Sequence, residues 1–81
     1  MTTCAAGALQ EAAERLGRGE TEVVMDFSSV LRVDAREVRT LAELARTAEE
    51  KSAHIAIRGV NMDIYKVLKL VKLAGRFRYL N

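Results

Sequence analysis

Two serines and the helix start that follows them are the residues of this 81-residue sequence best suited to chemistry. Ser28 and Ser29 carry hydroxyl groups that a kinase could phosphorylate, although serines in this setting are turn residues by default. Asp34 precedes Glu37 by three residues, which is the spacing of a capping box at a helix N-terminus. This region therefore favours recognition or modification over catalysis.

The helix that Asp34 opens carries charged residues on its outer side. Arg36, Arg39 and Glu43 are typical of a solvated helical face. The same positions are suited to docking a protein, because Arg36 and Arg39 would complement an acidic patch.

Basic residues concentrate near the end of the chain, although the formal net charge is only +2. Residues 62–81 hold five basic residues against one aspartate, whereas residues 1–22 hold two arginines against four glutamates. Few aromatic residues are interleaved with these cations, so the sequence does not favour a nucleic-acid partner but keeps one as an alternative. The candidate nucleic-acid residues are Lys66, Lys69, Lys72, Arg76 and Arg78.

No constellation for catalysis or for metal or cofactor binding stands out. His54 has no second histidine or carboxylate at ligand spacing, and Cys4 has no identifiable base. The five glycines are dispersed rather than grouped in a phosphate-binding loop. We therefore expect no enzymatic activity, metal or cofactor. A single cysteine and the lack of a long apolar run predict a cytoplasmic protein without a membrane span.

The length predicts one domain, residues 1–81, and hydrophobic periodicity predicts the order helix, strand, helix, strand, helix. The connection between the two strands is long enough for a parallel crossover. The last helix should carry an apolar stripe that includes Val71 and is widened by Leu70, and a tail should follow Gly75. The predicted elements cover residues 4–16, 23–27, 35–51, 54–58 and 62–73.

Residues 23–38, VVMDFSSVLRVDAREV, resemble the signature of STAS domains, the sulphate-transporter and anti-sigma-factor-antagonist family. In that family an apolar strand ending in Asp and a hydrophobic residue precedes Ser-Gly-Val, and Asp-Ser-Ser-Gly then opens a helix. The strand HIAIRGV and the closing segment YKVLKLVKLAGRF continue the resemblance. It implies an α/β fold with a mixed or parallel sheet flanked by helices, here lacking the family's opening strands.

The resemblance also implies a function and a site. Members of this type dock onto a kinase-type anti-sigma factor and release the sigma factor, so the expected role is bacterial transcription regulation by protein binding. The family's phosphorylated serine falls at Arg36, which implies that the usual phosphorylation switch is absent. The implied partner-binding residues are Ser28, Ser29, Asp34, Ala35, Arg36, Val38 and Arg39.

Two further roles stay open within the same fold. The chain could be a scaffold or an accessory subunit of a larger assembly, such as a stressosome-like particle or a lipid-transport ATPase. Two strands cannot cover three helices well, so either a partner chain supplies more sheet or the first segment, read as a helix, contributes a strand. An open sheet edge predicts a homo-oligomer, such as a two-fold dimer.

Overall fold

Helices and strands alternate along the chain, and a computed structural model describes residues 5–80. The predictions that involve Cys4 lie outside the described residues. The predicted order is confirmed and extended by one short 3₁₀ turn and a third strand. The elements are α1 (Ala6–Gly17), β1 (Glu22–Asp26), α2 (Ala35–Glu50), β2 (His54–Arg58), α3 (Met62–Leu70), the 3₁₀ turn (Ala74–Arg76) and β3 (Arg78–Leu80).

The three strands form one parallel sheet in the order β1-β2-β3. Val24 lies opposite Ala56, and Ala56 lies opposite Arg78 in the next strand. The predicted tail after Gly75 contains a strand that the sequence did not predict, because residues 78–80 pair with β2, and the first segment is a helix that supplies no strand. The additional strand therefore comes from the end of the same chain and places β2 at the centre of the sheet.

The helices cover one face of the sheet. Val23 and Met25 of β1 and Ile55 and Ile57 of β2 are buried on that face, where they join side chains from all three helices in one core. The residues between them face the other way, and Val24 is exposed. This alternation is the period-2 pattern of a sheet with one covered side.

Each helix ends in the same hydrogen-bonded turn, with one residue in the left-handed conformation. Gly19 takes this place after α1, Ser52 after α2 and Lys72 after α3. After α3 the Leu73 N–H bonds the carbonyl of Leu68 at 2.8 Å, which is the wide bond of a Schellman motif.

The end of α3 corrects the predicted helix of residues 62–73. Ile64 and Leu68 of the predicted stripe are buried, but the helix ends at Leu70 and the chain turns back at Lys72. Leu70 and Val71 consequently leave the core and are exposed. Lys72 occupies the left-handed position that glycine usually takes after a helix. Because no glycine stands there, the sequence did not indicate that the helix ends at this point.

Tyr79 joins β3 to the segments before it through its hydroxyl group and its ring. That hydroxyl donates a hydrogen bond to the Ala74 carbonyl at 2.6 Å, and its ring meets Tyr65 edge to face with centroids 5.3 Å apart. Tyr79→Phe keeps the ring contact and removes the hydrogen bond, so we expect urea denaturation at neutral pH to show a loss of about 1 kcal/mol.

The pH dependence of this loss provides a check. Burial, followed by the nearby Tyr65, raises the pKa of Tyr79. Its contribution to stability is complete below the unfolded tyrosine pKa of about 10 and is lost as the pH rises through the raised folded value. The difference between Tyr79→Phe and the parent protein should therefore shrink at high pH. Equal stability at neutral pH would contradict the prediction.

Candidate functional site

The candidate site lies where the carboxyl ends of β1 and β2 meet the start of α2. Residues 27–34 leave β1 and lead into α2, and residues 59–61 leave β2 and lead into α3. Asn61 caps α3 by accepting a hydrogen bond from Ile64 N–H at 2.9 Å. Its amide group also donates to the Leu31 carbonyl at 3.1 Å, which joins the two connections.

The predicted capping box at the start of α2 is confirmed. The Asp34 carboxylate accepts a hydrogen bond from Glu37 N–H at 2.8 Å, and Glu37 Oε1 accepts one from Asp34 N–H at 3.0 Å. These two bonds satisfy backbone donors that the helix itself cannot pair. Asp34 is therefore a structural residue whose cap fixes the direction in which α2 begins.

Glu37 also reaches a second helix. Its Oε2 atom accepts a hydrogen bond from the Ala5 N–H at 2.7 Å, at the start of α1. The Glu37 residue is only 8% exposed, and Ala5 is fully buried. Both carboxylate oxygens are thus engaged with backbone donors, which is the condition for burying such a group at an acceptable free energy.

Ser28 turns the chain immediately after β1. Its N–H bonds the Asp26 carboxylate at 2.9 Å, and its hydroxyl donates to the same oxygen. The hydroxyl bond, then the backbone bond, and also the positive charge of Arg58 hold the pKa of Asp26 below its usual range. Ser28 therefore serves first as a turn residue.

Gly59 allows this turn to pack closely. It has a φ of 72°, in the region that favours glycine, and a Cβ there would lie 2.8 Å from the Ser28 Cβ. A side chain at position 59 would displace the Ser28 backbone. The glycine thus lets the β1 and β2 connections touch.

Two of the predicted partner-binding residues, Arg36 and Ser29, line different depressions. Arg36 borders a groove of about 230 Å³ between α1 and α2, together with Ala6, Gln10 and Thr40. Ser29 borders a separate depression of about 340 Å³ with Glu11 and other residues. Ala35 and Arg39 are exposed, whereas Val38 is half-buried. The first half of α1 borders both hollows, a role that the sequence did not reveal because it depends on tertiary packing.

Arg36 lies in the first turn of α2, where a positive charge opposes the helix dipole. The Arg36 side chain is exposed. Helix stability therefore does not account for arginine at this position.

Two exposed apolar side chains near this end were missed by the sequence analysis. Leu31 is 63% exposed in the β1–α2 connection, and Met62 is 67% exposed as the first residue of α3. The Asn61 amide bond to the Leu31 carbonyl brings their backbones close. The one feature of the sequence that could have identified them is that each is an apolar residue outside the predicted apolar stripe of a helix. The starts of α2 and α3 both follow the carboxyl ends of parallel strands, so Arg36 and Arg39 lie toward the same end of the sheet as these two residues. We call Leu31, Arg36, Arg39 and Met62 the docking surface.

The five basic residues of the nucleic-acid alternative are divided among three places. Lys66 and Lys69 border one depression on α3 with Leu70. Arg76 and Arg78 border another with Glu49 and His54, and Arg76 forms an ion pair with Glu49. Lys72 occupies the turn after α3. The cations thus form no continuous strip along α3.

Within residues 5–80, no group of three or more metal-ligating side chains comes together. No helix in that part of the chain has both the length and the apolar character needed to cross a bilayer.

Comparison with protein families gives one match of nearly full length. The family model described as "Mlab, STAS domain" matches residues 1–80. A comparison with curated proteins and one with solved structures gave no match.

The hydrogen bonds of Glu37 generate a prediction about stability. Glu37→Gln replaces one of the two acceptor oxygens with an NH₂ group. Either the Ala5 N–H or the Asp34 N–H would then face this second donor and lose its hydrogen bond. We expect a loss of about 1–3 kcal/mol in the free energy of unfolding, measured with urea. Glu43→Gln, on the exposed side of the same helix, should change stability by no more than about 0.5 kcal/mol. Equal effects of the two substitutions would refute this role of Glu37.

Proposed function

The chain belongs to the STAS domain family, and from this premise we propose that it is an anti-sigma-factor antagonist that binds a kinase-type anti-sigma factor. Domains of this family are protein-interaction modules and are generally non-enzymatic. On this proposal the chain acts without chemistry of its own, by occupying the surface through which its partner would hold a sigma factor. Its setting is the bacterial cytoplasm.

The observation that carries the proposal is the fixed position of the docking surface. Asp34 and Glu37 hold the start of α2, and Asn61 joins the β1–α2 connection to the start of α3. A surface that is already ordered loses little conformational freedom on binding, which favours affinity.

The chemistry of the docking surface defines the partner that fits it. Leu31 and Met62 offer exposed apolar side chains, which are suited to a shallow hydrophobic pocket. Arg36 and Arg39 offer positive charge on the adjacent helix. The expected partner surface is therefore an apolar pocket beside acidic residues, in keeping with charge complementarity at protein interfaces.

Regulation by phosphorylation at the family position is excluded from this proposal, because Arg36 has no hydroxyl group. Ser28 is not an equivalent substitute, since its hydroxyl group is bonded to Asp26 in the turn. Phosphate at Ser28 would place negative charge beside a carboxylate that is already ionised at neutral pH. We therefore propose binding that does not depend on modification at these two residues.

One observation favours self-association as well. Within residues 5–80, β1 pairs only with β2, so its other edge has no strand beside it. Open edges are commonly paired or covered in stable proteins. We propose that a second copy pairs along this edge, which would also suit the alternative role as a scaffold or accessory subunit.

Charge reversal at Arg36 tests the docking surface. We expect Arg36→Glu to weaken partner binding about tenfold, because it replaces attraction to an acidic patch with repulsion. The tagged chain is used to capture its partner from the source cell, the captured protein is identified by mass spectrometry, and its affinity is then measured with purified components.

Arg46→Glu is the matched control, since Arg46 lies on the exposed side of the same helix near its other end. The control should bind as the parent protein does, and both variants should keep their helical circular dichroism. If the folded Arg36→Glu variant binds the partner with unchanged affinity, the proposed role of the docking surface is refuted. Capture of a subunit of a transport ATPase instead of a kinase-type factor would favour the accessory-subunit alternative.

Self-association is tested by light scattering coupled to size exclusion over a wide range of concentrations. We expect a dimer in the parent protein and a monomer in Val24→Lys, because lysine on an edge strand opposes strand addition. Val24 is exposed, so the lysine does not enter the core. A parent protein that is monomeric at every concentration would contradict edge pairing.

A further inference from the structure

The turn at the end of α3 combines exposed apolar side chains with positive charge. Leu70 is 82% exposed and Val71 is 45% exposed, although both belong to an otherwise amphipathic segment. Lys66, Lys69 and Lys72 surround them in the sequence and are exposed. We call these five residues the α3 tip.

The local backbone keeps the apolar pair out of the core. The helix ends at Leu70, and the Leu73 N–H bonds back to the Leu68 carbonyl while Lys72 takes a φ of 64°. Leu68 and Leu73 thereby return to the protein, whereas Leu70 and Val71 remain outside. Lysine holds a left-handed position that glycine accommodates more easily, and it adds a third cation to the tip.

The lysines present an apolar surface beneath their ammonium groups. Lys66, Lys69 and Leu70 line a shallow depression of about 430 Å³ whose lining is almost entirely carbon. The helix dipole accounts for lysines near a C-terminus, but it does not account for an exposed leucine between them. The nearest acidic residue of α3, Asp63, lies seven positions before Leu70, which is about 10 Å along a helix axis.

We propose that the α3 tip binds the surface of an anionic lipid bilayer. Leu70 and Val71 would enter the boundary between headgroups and acyl chains, and the three lysines would meet headgroup phosphates. Each lysine near an anionic membrane contributes about fivefold in affinity, so three together supply about 100-fold.

The composition of the tip favours a bilayer over a nucleic acid. A phosphate backbone would be bound by the lysines, but it would leave Leu70 without an apolar contact. Tyr65 is the aromatic residue beside these cations, and its ring already packs against Tyr79. Bases would therefore lack a free stacking partner in α3.

The α3 tip and the docking surface lie toward opposite ends of α3, although Lys66 is only four positions from Met62. Met62 begins α3 and Leu70 ends it, and nine helical residues span about 13 Å. The proposal uses none of the docking-surface residues, so it stands independently of the partner that the docking surface binds.

Vesicle flotation with the full 81-residue chain tests the proposal. The probes are vesicles of equal parts phosphatidylglycerol and phosphatidylcholine, vesicles of phosphatidylcholine alone, and a random DNA duplex. We expect binding to the mixed vesicles only, and we expect it to weaken as salt is raised. Lys66→Gln/Lys69→Gln/Lys72→Gln should reduce the vesicle affinity about 100-fold, and Leu70→Gln should reduce it about tenfold.

Two controls match these variants. Arg18→Gln/Arg32→Gln/Arg46→Gln removes the same charge from exposed positions elsewhere, and Leu80→Gln makes the same apolar-to-polar change on β3. Both should bind mixed vesicles within about twofold of the parent protein, and circular dichroism should show all variants folded.

Three results would overturn the proposal. The first is no binding to mixed vesicles at low salt. The second is vesicle binding that the control variants lose as strongly as the tip variants do. The third is binding to the DNA duplex in the absence of vesicle binding, where the DNA affinity depends on the three lysines but not on Leu70. This result would indicate that the tip binds nucleic acid instead.

Discussion

The buried carboxylate of Glu37 is the contact on which the arrangement of the first two helices depends. One oxygen completes the cap of α2 at Asp34, and the other accepts the Ala5 N–H at the start of α1. Because both N–H groups are partly or fully removed from water, losing either bond would leave an unpaired buried donor. The contact therefore sets the positions of the two helix starts together. The groove beside Arg36 follows from that placement.

Local signals predicted much of this structure. Asp34 and Glu37 identified the start of α2 through their spacing, because caps act within four residues. The strand at residues 54–58 was predicted with its observed bounds. The bond from Glu37 to Ala5 was beyond such reasoning, because it joins residues 32 positions apart and depends on how α1 packs.

The features that the sequence did not predict are β3, the early end of α3 and the exposure of Leu31 and Met62. Each depends on a conformation or a contact that the local residue types do not indicate. β3 has three residues and no pronounced apolar run, and it forms because β2 offers a free edge and Tyr79 reaches the Ala74 carbonyl. The early end of α3 depends on Lys72 adopting a conformation for which lysine gives no signal. Leu31 and Met62 likewise lie outside any periodic stripe, so their exposure became visible only in three dimensions.

The positive charge at Arg36 links this fold to its proposed regulation. A phosphate at the start of α2 would be stabilised by the helix dipole, and it would reverse the local charge that a partner meets. Arginine places a positive charge at the same point instead. On the proposed function, an acidic partner would always find this surface in its binding state. Control must then come from the amount of the chain, from the state of the partner or from competition for the docking surface.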